Sequence, residues 1–86
     1  MTFTVVWVES GAGELAEIWL SAVDRPLITA AARDIDHRLR VQPDAVGESR
    51  DGSRRILIAG PLAVTYEIRL DDRLVRVLDV WRIDGR

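Results

Sequence analysis

The chain is 86 residues long, enough for one domain and close to the size below which a lone hydrophobic core is hard to build. Apolar residues make up 48% and charged residues 30%, the balance of a soluble globular domain, and the absence of cysteine excludes disulfides and thiolate metal sites. The net charge of −2 lacks the basic excess of a nucleic-acid binder, so any such site must be a local cluster of arginines, lysine being absent.

The first predicted element spans Thr2 to Glu9. Its run Val5-Val6-Trp7-Val8 is β-branched and aromatic and reads as a strand buried on both faces. Ser10-Gly11-Ala12-Gly13 is expected to break it, with Ser10 as the N-cap of a helix. Leu15, Ile18, Trp19 and Ala22 recur at helical spacing and define one apolar face. Asp24-Arg25-Pro26 restarts the chain: Asp24 is a capping residue, and Pro26 fits the first turn, where its missing N–H costs nothing. Ile28, Ala32, Ile35 and Leu39 carry the second helix, which Pro43 ends near Val41.

The remainder reads as β-structure. Val46 to Arg50 is a weak strand, Asp51-Gly52 a hairpin turn, and Arg54 to Ala59 a strand closed by Gly60-Pro61. Leu62, Val64, Tyr66 and Ile68 alternate with Ala63, Thr65, Glu67 and Arg69, the pattern of a half-buried strand. Asp71-Asp72 turns the chain into Leu74 to Val80, apolar enough to be central in the sheet, and Trp81 to Arg86 is read as a tail.

The order is one strand, a helical hairpin, then three or four mainly antiparallel strands, which predicts a single α+β domain over residues 1–86. The hairpin should cover one sheet face, with Ile18, Trp19, Ile35, Leu39, Val64 and Tyr66 in the shared core. The opposite face is left for a site. No apolar run reaches the roughly 18 residues of a membrane span, and the first ten residues lack the pattern of a signal peptide, so the cytoplasm is the expected location.

That order at this length resembles the RelE/ParE superfamily of small bacterial toxins. The segment ELAEIWL (Glu14 to Leu20) is similar to the first-helix pattern of many members. GESRDGSRRILIAGPLAVTYEIRLDDRLVRVLDVW resembles their arginine-led strand, Gly-Pro turn, Tyr-bearing strand, acidic turn and final Val-rich strand. The likeness covers essentially the whole chain and rests on order and spacing, since no single motif is specific. It implies the toxin of a type II toxin–antitoxin system, neutralised by a cognate antitoxin whose disordered segment folds over it. The target is then either the ribosome and its mRNA, which RelE-like members cut without a metal, or DNA gyrase, which ParE-like members inhibit by binding. A third expectation is a degenerate, non-catalytic member acting as a protein-binding module.

Cleaving RNA in this way requires activation of the 2′-hydroxyl, cations for the phosphorane and an acid for the leaving oxygen. Carried over from the resemblance, the basic residue opening the middle strand falls on Arg54, and those after the last strand fall on Arg82 and Ile83. A second basic position falls on Ile56, the strand arginine before Tyr66 falls on Ala63, and the distal C-terminal tyrosine is missing. Arg54 and Arg82 are therefore the candidate catalytic cations, with Arg55, Arg69 and Trp81 as candidate RNA or partner contacts. No cofactor or metal is implied: Asp71, Asp72 and Asp79 lack ligand spacing. Gly11 and Gly13 form no phosphate loop. His37 sits on the outer side of a helix, where a solvated role outweighs a catalytic one.

Overall fold

The computed structural model describes residues 2–50 and 52–83. Strand β1 (Thr4–Trp7) leads into helices α1 (Glu9–Ser21) and α2 (Arg25–Val41). A single helical turn, α3 (Pro43–Val46), follows, and then strands β2 (Glu48–Ser49), β3 (Arg54–Ala59), β4 (Leu62–Arg69) and β5 (Leu74–Arg82). They form one five-stranded sheet in the order β1-β5-β4-β3-β2, in which β1 runs parallel to β5 and every other pair is antiparallel. This is the expected α+β arrangement, and β5 lies inside the sheet as its apolar sequence requires.

The register sorts the side chains onto two faces. Leu57, Val64 and Val80 stand in one row, with Leu62, Tyr66, Val75 and Val77 on the same side. These residues bury themselves against Ile28, Ile35 and Leu39 of α2 to form the core. The opposite face carries Arg54, Ile56 and Ile58 of β3, Ala63, Thr65, Glu67 and Arg69 of β4, and Arg76, Asp79 and Trp81 of β5. No helix covers it.

Strand β1 is an edge strand, not one buried on both faces: Val6 stands on the open face and is exposed. An apolar run is compatible with either position, because an edge strand also buries the face beneath a helix. Ser10 does not cap α1. The cap position is Val8, and Ser10, Gly11 and Gly13 lie inside the helix. The reason is the flank of β5. Past the end of β1, α1 takes the place of a neighbouring strand. A Cβ on the buried Gly11 would stand 3.0 Å from the Val77 carbonyl oxygen, so glycine is what lets the helix backbone come this close. The Ser10 hydroxyl donates to the Leu78 carbonyl at 3.3 Å, and the Glu14 carboxylate accepts the Val80 N–H at 3.2 Å. An edge that would otherwise expose unpaired backbone is thereby satisfied. Leu78 is the extra residue of a β-bulge, since Thr65 pairs with Asp79 and Tyr66 with Val77.

Trp81 and Arg82 belong to β5 and not to a tail. Trp19 is not in the core but 39% exposed. α1 meets the sheet through its Gly11 side, where Leu15 and Ile18 pack partly buried against the core, and Trp19 falls on the flank that faces α2. The Asp51-Gly52 turn lies partly outside the described residues; Gly52 has the positive φ of +57° that such a turn uses.

Candidate functional site

Three of the five arginine and tryptophan candidates lie on the open sheet face: Arg54, Arg69 and Trp81. The other two do not. Arg82 pairs with Leu62, placing it on the helix side, where its Nη1 and Nη2 donate to the two carboxylate oxygens of Asp24 at 2.9 and 2.7 Å. Its side chain is only 11% exposed. Asp24 stands at the N-cap position of α2 but makes no capping bond, its carboxylate being held in this two-pronged pair. Arg54 and Arg82 therefore stand on opposite faces of the sheet and are not brought together.

Arg55 also faces the helical side. Its Nη2 donates to the Gly47 carbonyl beneath the α3 turn, while its Nε is buried without a hydrogen-bond partner among the described residues. Beside it the Tyr66 hydroxyl donates to the Pro43 carbonyl at 2.7 Å. Burial pushes the Tyr66 phenol above its usual range; the Arg55 hydrogen bond and charge pull it back in part, and Asp44 adds a small upward push. The pair ties α3 to the sheet. A Cβ on Gly47 would run into the Tyr66 hydroxyl and into the Ile56 carbonyl, so glycine is needed for this closeness as well.

On the open face the cations are largely matched by acids. Arg76 Nη1 donates to Glu67 at 2.6 Å, and Arg69 lies 3.9 Å from Asp72. Arg54 is exposed and has no ion partner among the described residues, and the same holds for Asp79 two strands away. The row Ile58–Ala63–Trp81 crosses one end of this face. Ile58 is 58% and Trp81 39% exposed, while Ala63 between them is 1% exposed. At the position where the sequence resemblance calls for a strand arginine, the face is therefore apolar and closed over.

A second surface lies on the helical hairpin. Between α1 and α2 runs a groove of about 650 Å³, walled by Leu15, Trp19 and Leu20 on one side and Ile28, Ala32 and Arg33 on the other, with Trp7 of β1 also lining it. Trp7 Nε1 donates to Asp36 at 3.4 Å, and Trp19 Nε1 to the Thr29 hydroxyl at 3.1 Å, which fixes both indoles at its edges. Arg25 holds the hairpin together: it donates to the Trp19 and Leu20 carbonyls at the end of α1 and lies 4.7 Å over the Trp19 ring. The available signal was Leu20, an apolar residue off the Leu15–Ile18–Trp19–Ala22 stripe that makes α1 too apolar for a helix with one covered face. Among the described residues no acidic or histidine cluster is arranged to hold a metal, and no helix is long and apolar enough to cross a membrane.

No protein-family model matches the sequence, and no curated protein matches it. Solved structures do. The toxin–antitoxin complex RelBE2 from Mycobacterium tuberculosis superposes with a TM-score of 0.78 at 17% identity, over 96% of this chain and 93% of that one. The chromosomal ParDE system of P. aeruginosa gives 0.66 at 16% identity, over 95% and 97%. TrmO from Pseudomonas aeruginosa gives 0.64 at 25% identity, over 93% of this chain but 35% of that one. The chain has the RelE/ParE-like fold, and the third similarity places the same fold inside a larger protein.

Proposed function

We propose that the protein is the toxin of a type II toxin–antitoxin pair and that its antitoxin is held in the α1–α2 groove by an amphipathic, acidic helix. The observation that carries this reading is the groove: an apolar channel of about 650 Å³ bordered by two half-exposed or exposed aliphatic and indole side chains, Leu20 and Trp19. An apolar helix stripe fits such a channel. Arg33 lines the groove with no ion partner among the described residues and supplies a cation for an acid on the partner helix. The fold shared with chains of two toxin–antitoxin complexes supports the same reading.

On the target, the geometry favours binding over cutting. RNA cleavage needs a group of cations around the scissile phosphate, worth about 3–4 kcal/mol for a single donor. Here Arg82 is engaged by Asp24, Arg76 by Glu67, and Ala63 is covered. Among the described residues of the open face, Arg54 and Arg69 remain for salt-sensitive phosphate contacts, with no histidine or tyrosine beside them to give up a proton. Inhibition of a protein target such as gyrase is the mechanism this arrangement supports. The second reading, a protein-binding module without toxicity, is favoured by the occurrence of the fold within a longer chain.

The test is expression in cells with and without the product of the neighbouring reading frame. Growth arrest relieved by that product, with a raised melting temperature for the mixture, is the expected result, and Leu20→Glu should abolish the thermal shift. No shift at peptide concentrations well above micromolar would sink the antitoxin assignment. Codon-phased mRNA ends that vanish in Arg54→Ala would restore the ribonuclease mechanism, and a folded protein with no effect on growth would leave the module reading.

A further inference from the structure

The open sheet face presents a pattern that fits itself. Two of its exposed apolar residues, Ile58 and Trp81, form a ridge across one end. Farther along the same face stand two opposite charges without ion partners among the described residues: Asp79, two residues along β5 from Trp81, and Arg54, four residues along β3 from Ile58. They project from the same face, since Arg54 pairs with Glu67 and Asp79 with Thr65, two positions apart on β4. Two strand spacings across and two residues along put their Cα atoms about 12 Å apart.

We infer that this face is the interface of a homodimer, in which Arg54 of one protomer meets Asp79 of its partner and the reverse. A twofold axis in the plane of the face, midway between the two charges, exchanges them, so one symmetric contact satisfies both. The same axis passes close to Ile58 and sets the exposed aliphatic side chain against its own copy. It also brings Glu67 near the partner's Arg76, adding to the pair each already makes within its own chain. The ridge residues are of the type that anchors interfaces, an indole and a large aliphatic.

The balance of charge selects this occupant over a nucleic acid. Arg54, Arg69 and Arg76 share the face with Glu67 and Asp79, and Arg69 is bridged to Asp72. The phosphate contacts open to Arg54 and Arg69 are offset by Glu67 and Asp79, so a polyanion gains little from so balanced a surface, and the Asp79 carboxylate beside the ridge repels phosphate. The inference is independent of the groove, because none of these residues lines it.

The experiment is sedimentation velocity across micromolar to millimolar protein, on the wild type, Arg54→Asp, Asp79→Arg, and an equimolar mixture of the two variants. The wild type should dimerise. Each single variant sets like charges against each other twice and should weaken association by about a hundredfold. The mixture should recover it, because an Arg54→Asp chain facing an Asp79→Arg chain restores two opposite-charge pairs. Ile58→Glu, on the axis, should also give monomers, and circular dichroism confirms that each variant folds. A wild type that stays monomeric at the highest concentration overturns the inference, as do single variants that associate normally or a mixture that remains monomeric.

Discussion

The two faces of the sheet carry similar side chains and use them in opposite ways. On the helix side, arginine is a structural part: Arg82 grips Asp24 at the start of α2, and Arg55 reaches under α3 to the Gly47 carbonyl. On the open side, Arg54 stands in solvent with no ion partner among the described residues, and Ile58 and Trp81 are left uncovered. The same residue type stabilises the fold where it is desolvated and paired, and is available for a partner where it is not. Residue identity alone does not separate the two roles; the parity of the strand register does.

The largest expected contrast is between apolar residues. Ile35 is fully buried beneath the sheet, so Ile35→Ala should cost about 2–5 kcal/mol, which approaches the whole stability of a domain this small. Ile58→Ala on the open face should change the stability of the monomer by less than about 0.5–1 kcal/mol. Urea denaturation of dilute protein measures both. Equal losses would mean that the open face is part of the core and would remove the distinction between the faces.

Much of this architecture was legible in the sequence. The bounds of β3 and the β4 alternation follow from residues that obey one local rule, period two with turn residues at each end. The helix stripe Ile28–Ile35–Leu39 is likewise buried as its spacing requires. What escaped depends on non-local packing. Ser10-Gly11-Ala12-Gly13 reads locally as a break, yet it is helical because Gly11 lets α1 settle against the β5 backbone, 66 residues along the chain from its Val77 contact. Trp19 has core spacing but ends on a groove wall, because α1 turns another side to the sheet. For the candidate site, the family resemblance singled out Arg54 and Arg82 together. The strand register, which puts them on opposite faces, and the bidentate reach of Arg82 to Asp24 separate them.

That separation sharpens into a second, smaller contrast. Arg82→Ala leaves the Asp24 carboxylate without its two-pronged partner at the start of α2. The guanidinium is nearly buried, but Asp24 keeps a third of its surface in water, so the loss should be about 2 kcal/mol, below that of a fully buried pair. Arg54→Ala should be neutral within about 0.5 kcal/mol. Melting curves on both variants decide it, and Asp24→Asn should reproduce most of the Arg82→Ala loss. If Arg82→Ala is as harmless as Arg54→Ala, the ion pair contributes little and Arg82 returns as a surface cation open to a partner.

The smallest effect belongs to the tyrosine that anchors α3. Tyr66→Phe keeps the ring in the core and removes only the hydroxyl that donates to Pro43, so it should cost about 1 kcal/mol at neutral pH. Its sharper signature is in alkali. Burial raises the phenol in the folded state above its value in the unfolded chain, with Arg55 offsetting part of the rise. A raised folded value means the contribution is complete below the unfolded pKa of about 10 and is lost as pH climbs through the folded one. Stability measured by urea titration from neutral pH upward should therefore fall above about pH 10 in the wild type. Tyr66 is the chain's only tyrosine, so the same titration on Tyr66→Phe should lose that part of the fall. Parallel alkaline curves for the two proteins would show that the hydroxyl is not buried as described, and the anchoring of α3 to the sheet would then rest on Arg55 and its bond to Gly47 alone.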